Sequence, residues 1–219
     1  MPMTLPDIHH HLTDTLLMAY AAGALTEAFS LTVATHISMC DECRARLGAF
    51  ECLGGAVLER VGAVEMAEDS LSATMARIRG GAPVADRPAP RAPGALPAPL
   101  RDYVGGDLDA VRWRPIGMGV KQAILPTARD ATARLLYIPA GAAVPDHGHR
   151  GTELTLVLQG AFVDEADRFG AGDIEVVNED LHHMPVADIG ADCICLAATD
   201  APLRFRGIIP RLAQPFLRI

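Results

Sequence analysis

Residues 36–46, HISMCDECRAR, place one histidine and two cysteines within eight positions. His36, Cys40 and Cys43 are spaced four and three apart, so on a continuous helix they share one face. If a helix instead ends near His36, the Cys-x-x-Cys turn begins the next helix. In either geometry an imidazole and two thiolates can converge on one tetrahedral ion, which favours a zinc site over a redox pair.

A structural zinc site needs a fourth ligand. The other histidines in this half of the chain are His9, His10 and His11, at the head of the first predicted helix. The alternative is that Cys40 and Cys43 are small buried hydrophobic residues, because short motifs of this kind also occur by chance.

A second set of ligand-type residues lies in GAAVPDHGHRGTELTLVLQG, residues 141–160. In a strand, His147 and His149 point to the same side, and after a turn Glu153 can return to that side. One of His182 and His183, further along the chain, could close the site. Two imidazoles and a carboxylate inside a barrel predict a metal site, and these ligands leave Zn, Mn, Fe and Ni open.

The remaining cysteines have two interpretations. Cys193 and Cys195 face one side if their segment is a strand, so the two thiols form a possible redox sensor. Alternatively they fill the barrel wall, where burial makes thiols unreactive. Cys52 is predicted to lie in the core.

The elements that must position these residues differ between two halves of the chain. Residues 1–80 show four helical segments, with Thr26 and Ser70 as candidate N-caps and with Gly54 and Gly55 as candidate interruptions of the third. Residues 81–103 carry a dense run of prolines, which predicts a semi-rigid extended linker.

Residues 104–219 have a different texture, with short apolar runs between Gly, Pro and Asp. The strand-length pieces are KQAILP, ARLLYIP, LTLVLQG, DIEVV, CICLAA and LRFRGI. Many short strands at this spacing predict an antiparallel sandwich or barrel.

Composition excludes several functions. The net charge of -8 and the pI near 5.4 argue against direct nucleic-acid binding, which needs a basic surface. No run of 18 apolar residues exists, so we expect no membrane contact. The N-terminus lacks the order of a secretory signal, and five clustered cysteines do not suit an extracellular disulfide framework. These features predict a cytoplasmic protein.

The segment LLMAYAAGALTEAFSLTVATHISMCDECRARLGAF resembles the zinc-binding anti-sigma domain that regulates bacterial extracytoplasmic-function sigma factors. The resemblance implies that His36, Cys40 and Cys43 hold zinc together with His10 or His11, of which His11 fits the spacing better. It also implies that this half binds a sigma factor and blocks its access to RNA polymerase. Residues 1–85 carry ten acidic and five basic side chains, which suits a basic partner but also serves solubility.

The second half resembles the cupins. The first cupin motif is matched at all its fixed positions: Gly141, His147, His149, Glu153 and Gly160. In the second motif Gly172 and His183 fit, whereas Asn178 and Asp180 depart from it. The resemblance implies a metal held by His147, His149, Glu153 and His183, with the departures affecting local turns more than the ligand.

Together the halves resemble the ChrR-type family of zinc-binding anti-sigma factors. The implied fold is multi-domain α and β, with a zinc-binding helical bundle (1–80), a proline-rich linker (81–103) and a cupin antiparallel β-barrel or jelly roll (104–219). The resemblance implies Zn²⁺ in both sites, although the second could hold another divalent metal. It also implies an RpoE-type sigma factor as the partner, and a cupin half that controls its release under oxidative stress such as singlet oxygen.

A metal-dependent cupin enzyme, a dioxygenase or isomerase with an accessory zinc domain, is the rival hypothesis. Such an enzyme would use the same His147, His149, Glu153 and His183 site with an open coordination position. The N-terminal motif favours the non-enzymatic regulator, because a catalytic cupin has no evident need of it.

Overall fold

The computed structural model describes residues 7–81, 94–148, 150–178 and 182–205. Within these ranges the helices are α1 (Asp14–Ala21), α2 (Glu27–Met39), α3 (Asp41–Leu58), α4 (Ser70–Arg79) and α5 (Ala98–Val104). The four N-terminal helices are confirmed, and α3 continues through Gly54 and Gly55 without interruption. None of the described helices is long and apolar enough to cross a bilayer.

Local hydrogen bonds explain where the first helices begin. The Thr13 hydroxyl accepts from the Leu16 amide at 3.3 Å and caps α1. Cys40 ends α2 in an extended conformation, and its Sγ accepts from the Cys43 amide at 3.4 Å to cap α3. The helix break at Cys40 therefore places both cysteines in the corner between α2 and α3.

The second half is built of antiparallel strands: β1 (Arg114–Gly117), β2 (Val120–Ile124), β3 (Thr132–Ile138), β4 (His147–Gly148), β5 (Glu153–Gln159), β6 (Ala161–Val163), β7 (Arg168–Gly170), β8 (Ile174–Val177), β9 (His182–His183), β10 (Val186–Ala187), β11 (Cys193–Thr199) and β12 (Arg204–Phe205). A six-stranded sheet has the order β1-β2-β3-β11-β5-β8. Two three-stranded sheets, β10-β6-β7 and β12-β4-β9, complete the double-layered arrangement. This confirms the cupin-like antiparallel fold.

The two faces of the six-stranded sheet have different coverings. Helix α2 packs across the outer face, on β3, β5 and β11. There Leu31 and Val33 join Leu135, Leu154 and Leu196 in one buried cluster. The inner face lines a cavity. Every residue of β11 is consequently buried, and its sequence CICLAAT shows no polar alternation.

Three details differ from the sequence predictions. The last part of the proposed 81–103 linker is not extended, because Ala98–Val104 forms α5 and its buried Leu100 joins the shared core. The two halves also share that core rather than standing apart. Cys52 is exposed, because it lies on a part of α3 that projects beyond the bundle.

Candidate metal centres

The first cluster lies where the chain enters α1 and where α2 meets α3. The ligand atoms of His11, His36, Cys40 and Cys43 all lie within 4.8 Å of one another. His36 Nε2 is 3.3 Å from Cys43 Sγ, and His11 Nδ1 is 3.3 Å from Cys40 Sγ and 3.7 Å from Cys43 Sγ. Ligands around a tetrahedral zinc with bonds of ~2.0–2.3 Å would lie ~3.3–3.8 Å apart. The four groups could therefore hold a metal ion.

Burial favours the uncharged forms of two groups in this cluster. Burial lowers the pKa of His36 to about 4, although the Gly172 backbone and the Asp173 charge oppose the shift, so the imidazole is neutral at pH 7. Burial also raises the pKa of the Cys43 thiol to about 11, with a further contribution from the neighbouring Cys40. A metal bound here must displace the Cys43 proton, which makes its affinity dependent on pH.

The structure separates the two candidate upstream histidines. His11 Nε2 lies 3.3 Å from the Glu42 carboxylate, which leaves Nδ1 facing the cysteines. His10 turns the other way and packs on the ring of Phe169, with Nδ1 3.4 Å from Asp173. Sequence reasoning did not single out Glu42, although its position between the two cysteines in CDEC marks it as a neighbour of the site.

The second cluster lies on the inner side of the cupin sheets. His147 on β4, Glu153 at the start of β5 and His183 on β9 bring their ligand atoms within 4.8 Å of one another, and all three are buried. The register of β4 with β9 pairs His147 with His183 directly, so their Nε2 atoms are 3.2 Å apart. His147 Nδ1 lies 2.9 Å from the Pro145 carbonyl, to which it donates. That hydrogen bond directs Nε2 toward the cluster.

An outer layer of carboxylates holds His183. Its Nδ1 lies 3.2 Å from Glu175 Oε1 and 3.2 Å from Asp164 Oδ2. Burial alone would lower the pKa of His183, but Glu175 and Asp164 raise it to about 9. Burial raises the pKa of Glu175 to about 7. A carboxylate behind a ligating imidazole fixes the ring and increases its basicity. No sequence motif marked Glu175 or Asp164.

The remaining predicted site residues have separate outcomes. His149 lies outside the described residues. His182 pairs with Gly148 through the backbone of β9. Cys193 and Cys195 are buried on β11 with their sulfur atoms 3.4 Å apart. The hydrogen bond with Cys193 and burial raise the pKa of Cys195 above its ordinary value, so that thiol is protonated at pH 7.

Comparisons with known proteins cover both halves of the chain. A family model described as the ChrR Cupin-like domain matches residues 102–201. The anti-sigma-E factor ChrR of Cereibacter sphaeroides is 62% identical over 214 residues, which cover 97% of this chain and 99% of the relative. The crystal structure of Rhodobacter sphaeroides SigE in complex with the anti-sigma ChrR matches with a TM-score of 0.78 and 60% identity. That match covers 88% of this chain and 99% of the other.

The helical unit gathers two histidines and two cysteines, and it packs on a cupin sheet that has its own histidine–glutamate cluster. This combination defines a class of regulators that carry a cupin domain. The identity extends over nearly the full length of both chains, so neither half is a chance resemblance. The chain belongs to the ChrR family of anti-sigma factors.

Proposed function

We propose that this protein is a non-enzymatic regulator that binds and inhibits an extracytoplasmic-function sigma factor of the RpoE type. Family membership supports this, since a relative 60% identical has been crystallised with SigE. The observation in this chain that carries the proposal is an exposed apolar surface on the part of the helical half that projects away from the core.

This surface, here called the apolar arm, covers the second half of α3, the turn after it, and α4. Its large apolar side chains are all exposed: Leu53, Val57, Leu58, Val61, Val64, Met66, Leu71, Met75 and Ile78. On α4, Leu71, Met75 and Ile78 recur at the spacing of one helix face. Large apolar side chains exposed in such number mark an interaction site, and the apolar face of α4 suits a groove on a partner.

The helical cluster supports the arm indirectly. We propose that His11, His36, Cys40 and Cys43 bind zinc. One ion would then join the start of α1, the last turn of α2 and the first turn of α3. A structural zinc contributes folding free energy to a small helical unit. The metal thus sets the direction in which α3 leaves the core.

The cupin half is proposed to hold a second divalent ion, with His147, His149, Glu153 and His183 as its ligands. Zinc is the first candidate, while Mn, Fe and Ni suit the same donors. We propose that this half controls sigma release under oxidative stress such as singlet oxygen. The buried Cys193 and Cys195 pair supports this, because β11 also carries the outer residues on which α2 packs.

The test of the sigma-factor proposal is binding to purified candidate sigma factors of the extracytoplasmic-function class. Leu71→Glu and Ile78→Glu place a charge on side chains that are 75% and 66% exposed. Each should weaken binding by roughly 30-fold, the cost of losing an interface anchor. Ala73→Glu, on the opposite face of α4, is the matched control and should bind normally. Equal binding by all three variants would refute the arm as the interface, and no binding by the wild type would refute the function.

A further inference from the structure

The cupin sheets enclose a cavity of about 290 Å³ that the sigma-binding proposal does not use. Its wall is mostly apolar and includes Ile116 on β1, Leu136 on β3, Val144 after β3 and Phe162 on β6. Ligand cavities typically measure ~300–1,000 Å³, so this one suits a small molecule. The His147, Glu153 and His183 cluster forms one part of the wall.

A buried guanidinium opens into this apolar space. Arg134 on β3 is 6% exposed and lines the cavity. Its Nη1 donates to the Gln122 side-chain oxygen at 3.2 Å, while its Nε has no hydrogen-bond partner among the described residues. A buried charge without a full set of partners is costly, so this group has a donor to offer a ligand.

The strand register fixes where the guanidinium points. Arg134 pairs with Ala197 on β11, and Ala197 pairs with Thr155 on β5, so these side chains share the inner face. Ala197 is small and leaves the space beside the arginine open. The neighbouring Thr155 hydroxyl donates to Glu153 at 2.9 Å. The arginine and the metal cluster therefore occupy one face of one cavity.

The guanidinium of Arg134 gives the wall a group that can pair with an anion. Among the described lining residues, Glu153 is the one carboxylate and Arg134 the one guanidinium, while burial lowers the pKa of His147 and favours its neutral form. Glu153 is also a proposed ligand of the metal ion, which would balance its negative charge. A divalent ion held there would make the cavity more positive.

We propose that the cupin cavity binds an organic monocarboxylate with an apolar body of medium chain length. The carboxylate accepts from Arg134, whose Nε–H has no partner among the described residues, in the geometry that a guanidinium offers to a carboxylate. The apolar body lies against Ile116, Leu136, Val144 and Phe162. This site is independent of sigma binding and gives the cupin half a small-molecule ligand of its own.

Calorimetric titration of the zinc-loaded full chain with sodium octanoate and with octan-1-ol tests this proposal. The two probes share the apolar chain and differ in the charged group. Octanoate should bind at least tenfold more tightly than octanol. Arg134→Gln should weaken octanoate binding to the level of octanol and leave octanol binding unchanged. Lys121→Gln, which removes an exposed cation of β2 outside the cavity, is the matched control and should behave as the wild type.

Two outcomes would overturn the proposal. Equal affinities of the wild type for octanoate and octanol would show that no group recognises the carboxylate, and this comparison stands even if Arg134→Gln fails to fold. Octanoate binding that survives in folded Arg134→Gln but disappears with a chelator would assign the carboxylate to the metal instead. Neither result depends on whether the chain inhibits a sigma factor.

Discussion

At the scale of single residues, each metal cluster depends on which ring atom faces inward. His11 and His10 are neighbours in sequence, yet the backbone turns one ring toward Cys40 and the other toward Asp173. The surroundings of the two rings, and not their chemistry, therefore make His11 a candidate metal ligand and His10 a contact with the cupin half.

The first prediction compares these two histidines. His11→Ala should remove one bound zinc equivalent, because three ligands remain and the first turn of α3 loses its connection to the start of α1. His10→Ala should retain that zinc, since its ring lies against Phe169. Metal analysis of the purified full-length variants measures both. Full zinc content in His11→Ala together with loss in His10→Ala would reverse the assignment.

Glu175 allows a second prediction at the same scale. Its carboxylate lies 3.2 Å from His183 Nδ1, so Glu175→Gln should weaken the hold on that imidazole. Loss of such an outer partner typically lowers metal affinity by ~10–100-fold. Competition with a chromophoric chelator should show this loss for the cupin metal and no change for the helical metal.

Glu59→Gln, the same chemical change at an exposed position, is the control for this experiment. Unaltered cupin affinity in Glu175→Gln would mean that His183 is oriented by Asp164 alone.

At the scale of elements, α5 shows how a proline-rich segment can still fold. Pro97 and Pro99 stand at the N-cap and in the first turn, where a missing amide hydrogen is tolerated. Gly105 ends the helix in a left-handed conformation with φ 78°. The buried Leu96 and Leu100 then bring this element into the core beneath α2.

A third prediction concerns Asp107, which anchors the segment before α5. Its carboxylate accepts from the amides of Ala95, Leu96 and Leu108 at 2.7–2.9 Å. The amide donor of Leu96 contributes most to holding the pKa of Asp107 below its ordinary value. Because the folded pKa is lowered, the anchor stabilises the protein above the unfolded pKa and is lost as the pH falls through the folded value.

Asp107→Ala should therefore lower the urea midpoint at pH 7, and its difference from the wild type should shrink as the pH falls below about 4. Asp109→Ala, which removes a neighbouring carboxylate, is the control. A difference from the wild type that stays constant from pH 7 to the acid range would exclude this role.

At the scale of the whole molecule, the two halves meet through specific contacts as well as through the apolar core. Asp173, in the turn before β8, accepts from the amides of His9 and His10 at 2.7 and 2.8 Å. The Ile174 amide donates to the His10 carbonyl at 3.2 Å. On the other side of α2, the Tyr103 hydroxyl donates to Glu27 at 2.8 Å. The contacts of Asp173 and Ile174 connect the cupin turn to the residue that precedes His11.

A fourth prediction follows for Asp173. Burial alone would raise its pKa, but the amides of His10, Gly170 and His9 hold it below the ordinary value, so the group is charged. Asp173→Ala leaves these donors without an acceptor and should lower the free energy of unfolding of the full chain by roughly 3 kcal/mol. Chemical denaturation measures the change.

Asp188→Ala is the matched control, because that carboxylate forms a surface pair with Arg168 and should cost less than about 1 kcal/mol. Equal losses in the two variants would show that Asp173 does not hold the halves together.

The sequence by itself determined the four N-terminal helices, most strands of the six-stranded sheet and most of the candidate ligands. These features are local patterns: helix periodicity, short apolar strands, and the spacings H-x-x-x-C-x-x-C and H-x-H-x-x-x-E. They can be read from the sequence because side chains repeat every 3.6 residues in a helix and every two residues in a strand. The choice of His11 rested on spacing to the following helix, and the structure places that residue beside Cys40.

Tertiary structure alone decided the surroundings of those residues. Glu175 and Asp164 reach His183 across strands, and Asp173 reaches His9 and His10 over more than 160 residues, so no local pattern could reveal them. Prolines predicted an extended linker through residue 103, but burial of Leu96 and Leu100 under α2 favours a helix. The sequence also did not predict that α2 covers the outer cupin face. Apolar residues on both faces of β11 indicate that both faces are buried, but not which element packs on each.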